Sequence, residues 1–92
     1  MKTFEVHING KVQGVWYRAS AKDMALQLGL TGKIWNDDDG DVGAIVQGDE
    51  EKISQFIDWC KQGPPLAKVQ NVSSEQVTDD YQFESFEISR TR

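Results

Sequence analysis

Ninety-two residues make one domain, 1–92, near the lower end of what can hold a core without staples. The formal net charge is −5, from ten Lys and Arg against fifteen Asp and Glu, which argues against nucleic acid or an anionic membrane surface as the main partner, since both reward clustered bases. Hydrophobic content of 38% with nine aromatic residues (three Trp, two Tyr and four Phe) is enough apolar surface for two helices on one sheet.

Along the chain, Phe4, Val6 and Ile8 alternate with Glu5, His7 and Asn9, which predicts a strand with one wet face. Ala21, Met24, Ala25 and Leu28 fall at helical spacing and predict a helix from about residue 19 to Gly29, a natural C-terminal stop. A second strand follows through Gly32-Lys33-Ile34-Trp35-Asn36. The acidic turn Asp37-Asp38-Asp39-Gly40 then leads into a third strand, in which Val42, Ala44 and Val46 alternate, so the two form a hairpin. Asp49 reads as the N-cap of a second helix, with Glu50 and Glu51 well placed in its first turn. Its buried stripe is Ile53, Phe56, Ile57 and Cys60, and Gly63-Pro64-Pro65 ends it. Val69 and Val72 lie in a fourth strand, and Phe83, Phe86 and Ile88 suggest a short fifth. The order is βαββαβ with an added terminal strand: an α+β, ferredoxin-like sandwich with both helices on one face of an antiparallel sheet.

The most informative stretch joins the first strand to the first helix: Gly10-Lys11-Val12-Gln13-Gly14-Val15-Trp16-Tyr17-Arg18. A glycine turn at that place points successive backbone N–H groups into one concavity, and a helix N-terminus adds partial positive charge. Arg18 adds a permanently charged planar fork suited to gripping phosphate bidentately. The physics describes a cradle for phosphate or carboxylate, although such a turn is more often plain connection. The whole string resembles the signature of the acylphosphatases, which hydrolyse carboxyl–phosphate mixed anhydrides. Gly10, Val12, Gln13, Gly14, Val15 and Arg18 match that pattern, and Tyr17 stands where the family usually has Phe.

The family's other signature falls on the second strand and hairpin: Gly32, Asn36, Gly40, Val42 and Gly48 hold its spacing. Between Gly32 and Asn36 the chain departs from it. Lys33, Ile34 and Trp35 stand where the family usually has an aromatic, a small aliphatic and commonly a basic residue, as though base and aromatic had been transposed on one strand face. The expected cost of that exchange is to substrate affinity and to the charge around the site. The resemblance implies that Arg18 binds the phosphoryl group and that Asn36 positions the attacking water. It also implies that the loop Gln13, Gly14, Val15, Trp16, Tyr17 and Arg18 binds substrate, its backbone N–H groups completing the cradle. No metal or cofactor is expected.

Other candidates weigh less. His7 sits on the wet strand face, with no second histidine to build a catalytic pair or metal site. Cys60 lies in an apolar stripe and reads as a buried structural thiol. The aspartate cluster fails as an EF-hand loop, because Trp35 and Val46 fall where acidic ligands are needed. Trp59 reads as partial core. An RNA-binding module of the same topology is set aside, because the third strand carries neither aromatic nor base. A regulatory domain that holds phosphate or another anion without turnover stays open as the alternative. The single cysteine, the absence of a signal-peptide core and the lack of any apolar run of spanning length point to a cytoplasmic location. The partner expected is a small acyl phosphate substrate, with neither nucleic acid nor membrane, and the protein is expected to be a monomer.

Overall fold

The computed structural model describes residues 1–90 and 92. The elements are β1 (Lys2–Lys11), α1 (Tyr17–Gln27), β2 (Thr31–Asn36), β3 (Val42–Gly48), α2 (Glu50–Gln62), β4 (Lys68–Gln76) and β5 (Phe86–Ile88). They form one sheet in the order β4-β1-β3-β2-β5 with both helices on one face. The expected α+β ferredoxin-like arrangement is therefore observed.

Alternation sets the layers. Val6 and Ile8 of β1, Ile34 of β2, and Val42, Ala44 and Val46 of β3 point at the helices and are buried with Ala21 and Ala25 of α1 and Ile53, Phe56 and Cys60 of α2. Ile57, placed by the sequence in the same stripe, is only partly buried, and Trp59 packs on Tyr17 with ring centroids 5.5 Å apart. α2 begins as expected: the Asp49 carboxylate accepts the Glu51 N–H at 2.9 Å, with Glu50 and Glu51 against the positive end of the helix.

Three expectations need correction. α1 opens at Tyr17, two residues before the predicted start, so Arg18 lies inside its first turn. The apolar periodicity begins only at Ala21 and could not reveal the earlier turns. β5 pairs with β2 in parallel, through Gly32↔Phe86 and Ile34↔Ile88, so the sheet is mixed. Phe83 lies ahead of β5, stacked on Tyr81 at 5.5 Å.

The third correction concerns the face away from the helices, which is not simply wet. The connection from β4 to β5 must cross the sheet from one edge to the other. It passes β1 through Val77 N–H to Thr3 O, β3 through Gln47 Nε2 to Tyr81 O, and β2 through Gly32 N–H to Ser85 O. Ile45 and Trp35 are buried on this second face. Trp35 lies directly over Gly43, where an added Cβ would meet the indole at 2.6 Å, so glycine is required by close approach.

Candidate active site

The loop from β1 into α1 and the end of β2 border one cleft of about 430 Å³, lined by Val12, Gly14, Trp16, Tyr17, Arg18, Ala19, Asn36 and Ile88. The strand register explains how Asn36 arrives there. Ile34 and Asn36 share the helix-side face of β2, while Lys33 and Trp35 share the other. Lys33 Nζ lies 5.8 Å from the Trp35 ring centroid on the second face, and Trp35 borders a different hollow. The departure at positions 33 and 35 therefore does not line the cleft, and the expected cost to affinity and local charge has no geometric basis.

The N-terminus of α1 is built differently from that of α2. Trp16 occupies the N-cap position with φ 66° and ψ 21°, and no side chain caps the helix. The first turn contains no acidic residue. The backbone N–H groups of that turn lack intrahelical acceptors, so the positive end of the helix is left for something outside the chain. Left-handed backbone at a tryptophan costs on the order of 1–3 kcal/mol and tends to persist where function fixes it. Gly14, at φ 73°, supplies the other left-handed residue of the loop at no such cost.

Two polar groups are left without partners here. Arg18 makes no hydrogen bond or ion pair among the described residues. Asn36 Oδ1 is buried and has no hydrogen-bond partner among the described residues. A buried amide oxygen without a donor costs about 1–3 kcal/mol, so a water or ligand group belongs beside it. An unneutralised guanidinium, free backbone donors and an orphaned acceptor thus converge on one cleft of an otherwise acidic protein.

The remaining loop residues are placed less as a binding set than the sequence suggested. Gln13 does not line the cleft: its Nε2 donates to the carbonyls of Asp37 and Asp41, each at 2.8 Å, and ties the loop to the hairpin. Val15 is a core residue, 7% exposed. Tyr17 is buried, and its hydroxyl donates to the Cys60 carbonyl at 2.7 Å, so its part in the cleft is main chain. Burial raises its phenol far above the usual range. Trp16 is 77% exposed and stands at the rim. Val12 was read as a residue of the motif but not as a binding residue, and Ala19 and Ile88 were not read as part of the site. Val12 lies inside the motif and Ala19 next to it, whereas Ile88 arrives from β5 through a tertiary pairing with no local signal.

Of the residues weighed and set aside, Cys60 is buried as expected, with its thiol pushed up to about 12 chiefly by burial, against a smaller opposing effect of the nearby Tyr17 hydroxyl. His7 is not isolated: the fold sets it beside Asp39 and Asp41, on the sheet face opposite the cleft.

The acylphosphatase family model matches residues 4–88. An acylphosphatase of Methylococcus capsulatus is 42% identical over 90 residues, spanning 98% of either chain, and one of Pelotomaculum thermopropionicum is 44% identical over 84 residues, spanning 91% of either chain. The crystal structure of acylphosphatase from Bacillus subtilis superposes with a TM-score of 0.92 at 29% identity, over 97% of this chain and 99% of that one. With motif, topology and relatives in agreement across nearly its whole length, the chain belongs to the acylphosphatase family.

Proposed function

We propose that this protein hydrolyses the carboxyl–phosphate bond of acyl phosphates, releasing a carboxylate and inorganic phosphate. Arg18 and the main-chain N–H groups of the 14–18 loop hold the phosphoryl group, and Asn36 orients the attacking water. The observation that carries this reading is the meeting, in one cleft, of an uncapped helix N-terminus with a guanidinium and a buried amide oxygen that have no partner among the described residues.

The chemistry needs little more. The leaving carboxylate has a conjugate acid with a pKa of about 4, so it departs without a general acid. Phosphoryl transfer through a loose transition state leaves the protein mainly positioning and charge stabilisation. The Asn36 carboxamide can accept a hydrogen bond from water at Oδ1, which aims an oxygen lone pair at phosphorus. A phosphate oxygen of the substrate takes the proton, so no protein base is required. Gln13 acts at one remove, by holding the loop against the hairpin that carries Asn36.

The reading of the protein as a cytoplasmic enzyme is supported by its lone, buried cysteine, and among the described residues no helix is long and apolar enough to cross a membrane.

The test is turnover of a chromogenic acyl phosphate by the untreated protein and by the same protein after exhaustive EDTA treatment. Equal hydrolysis in both is expected. Loss of rate restored by one particular cation would overturn the metal-free mechanism. Phosphate binding with no turnover would instead make the protein an anion-binding domain of the same fold.

A further inference from the structure

We propose that His7, Asp39 and Asp41 form a binding site for a borderline divalent transition ion, of the Zn²⁺ or Co²⁺ class, on the sheet face opposite the catalytic cleft. One ligand atom from each residue lies within 4.8 Å of the other two. The three come together through tertiary structure. His7 on β1 is the cross-strand partner of Gly43, and Asp41 precedes β3 by one residue. The Asp37–Asp41 turn closes through Asp37 N–H to Asp41 O at 2.8 Å, and the β1–β3 register leaves the Asp41 side chain beside those of His7 and Asn9.

The pre-existing spacing favours an ion. Two atoms bound to one Zn²⁺ at about 2.0–2.1 Å stand about 2.9–3.3 Å apart at octahedral to tetrahedral angles. His7 Nε2 and Asp41 Oδ2 are hydrogen-bonded to each other at 2.7 Å, so an ion must take the place of the shared proton, and the pair then opens by only a few tenths of an ångström. The Asp41 carboxylate is mostly buried and is steadied by Asn9 Nδ2 at 2.7 Å, the kind of outer hydrogen bond that fixes a ligand's orientation. Asp39 is the adjustable member: its carboxylate accepts the Asp41 N–H at 3.0 Å on an exposed turn. Glu5 and Arg92, on the same face, are engaged with each other at 2.6 Å.

The donor set selects the class of ion. One imidazole nitrogen with two carboxylates suits Zn²⁺, Co²⁺ or Ni²⁺ better than Ca²⁺ or Mg²⁺, which favour all-oxygen sites. Two carboxylates also balance the ion's double charge. Sequence spacing could not disclose this site, because His7 and Asp41 are 34 positions apart.

The test uses the untagged chain, whose single histidine makes the readout unambiguous. CoCl₂ and ZnCl₂ are titrated in a non-coordinating buffer while the imidazole proton resonances of His7 are followed by NMR and uptake is followed by calorimetry. The expected result is one ion per chain, with the His7 resonances perturbed in step with uptake. Asp39→Asn, at an exposed position, and His7→Gln should each weaken the ion by about tenfold or more. The proposal is overturned if the wild-type chain shows no saturable uptake. It is equally overturned if both variants, folded as judged by their unfolding midpoints in EDTA, take up the ion as tightly as the wild type.

Discussion

Arg18 and Asn36 are close enough to share a cleft, yet the mechanism gives them separable tasks. Arg18 is a cation without a partner among the described residues, so Arg18→Gln removes both a charge and a two-pronged contact from the bound anion. Loss of such a donor typically costs on the order of 3–4 kcal/mol, and turnover should fall about a hundred- to thousandfold, together with inhibition by inorganic phosphate. Asn36→Ala should retain phosphate as a competitive inhibitor while kcat collapses, because binding energy remains but the water loses its orientation. Its stability should not fall, since the amide oxygen it deletes has no partner to lose among the described residues. A folded Asn36→Ala protein with near-normal kcat would leave the water unassigned. Both residues were legible from the sequence because each stands at a fixed offset from glycines within its motif. The direction of a loop side chain is not encoded that way. Gln13 and Val15 belong to the same string as Arg18, yet one turns to the hairpin carbonyls and the other into the core.

The two helices show how an element's ends divide labour between stability and function. α2 uses Asp49, Glu50 and Glu51 to satisfy and neutralise its N-terminus, and those residues announced themselves in the sequence. α1 leaves its N-terminus uncapped, behind a left-handed tryptophan, and its first two residues, Tyr17 and Arg18, went unread as helix. Its stability must then come from elsewhere, and the Gln13 clamp is one source. Gln13→Ala removes two hydrogen bonds, although the Asp37 and Asp41 carbonyls keep the N–H groups of Gly40 and Asp37, and should lower stability by about 1–3 kcal/mol, with the KM for acyl phosphate rising more than kcat falls as the loop loosens. Gln13→Glu should be worse, because an ionised carboxylate would face the same two carbonyls. Denaturant unfolding and steady-state kinetics on both variants check this. If Gln13 instead touched substrate, the two variants would lose activity with stability intact. The parallel pairing of β5 was likewise invisible, since three residues of alternating pattern say nothing about strand direction.

Across the whole molecule, the sandwich has two faces with opposite uses. The helix-side core is apolar enough to keep the Cys60 thiol, ordinarily near 9.0, up to about 12, and it raises the Tyr17 phenol from its ordinary 10.0. In the unfolded chain the thiol ionises near its ordinary value, so above about pH 9 the unfolded state binds fewer protons than the folded one. This contribution to stability is thus whole below pH 9 and declines as pH rises towards 12, at about 1 kcal/mol per pH unit for each group. Chemical unfolding followed from pH 8 to 11 should show that decline. In Cys60→Ala, less stable throughout, it should begin only near pH 10, where Tyr17 ionises in the unfolded chain; an unchanged onset would exclude the thiol as its cause. The layer order and both buried stripes were legible from alternation and helical spacing. The crossing of the β4–β5 connection over the far face was not, because it depends on single contacts to three different strands. That far face carries a hollow of about 500 Å³ bordered by Glu5, His7, Trp35, Asp37 and Arg92, somewhat larger than the cleft assigned to catalysis. Size alone would therefore favour the wrong side of the sheet, and the central claim is that phosphate binds at the α1 end. Titration of inorganic phosphate into the isotopically labelled protein, read through amide chemical shifts, tests it most directly. Saturable shifts should appear at the main-chain N–H groups of residues 14–18 and at the Asn36 side-chain amide. Saturable shifts at Glu5, His7 and Trp35 with a silent 14–18 loop would contradict the account.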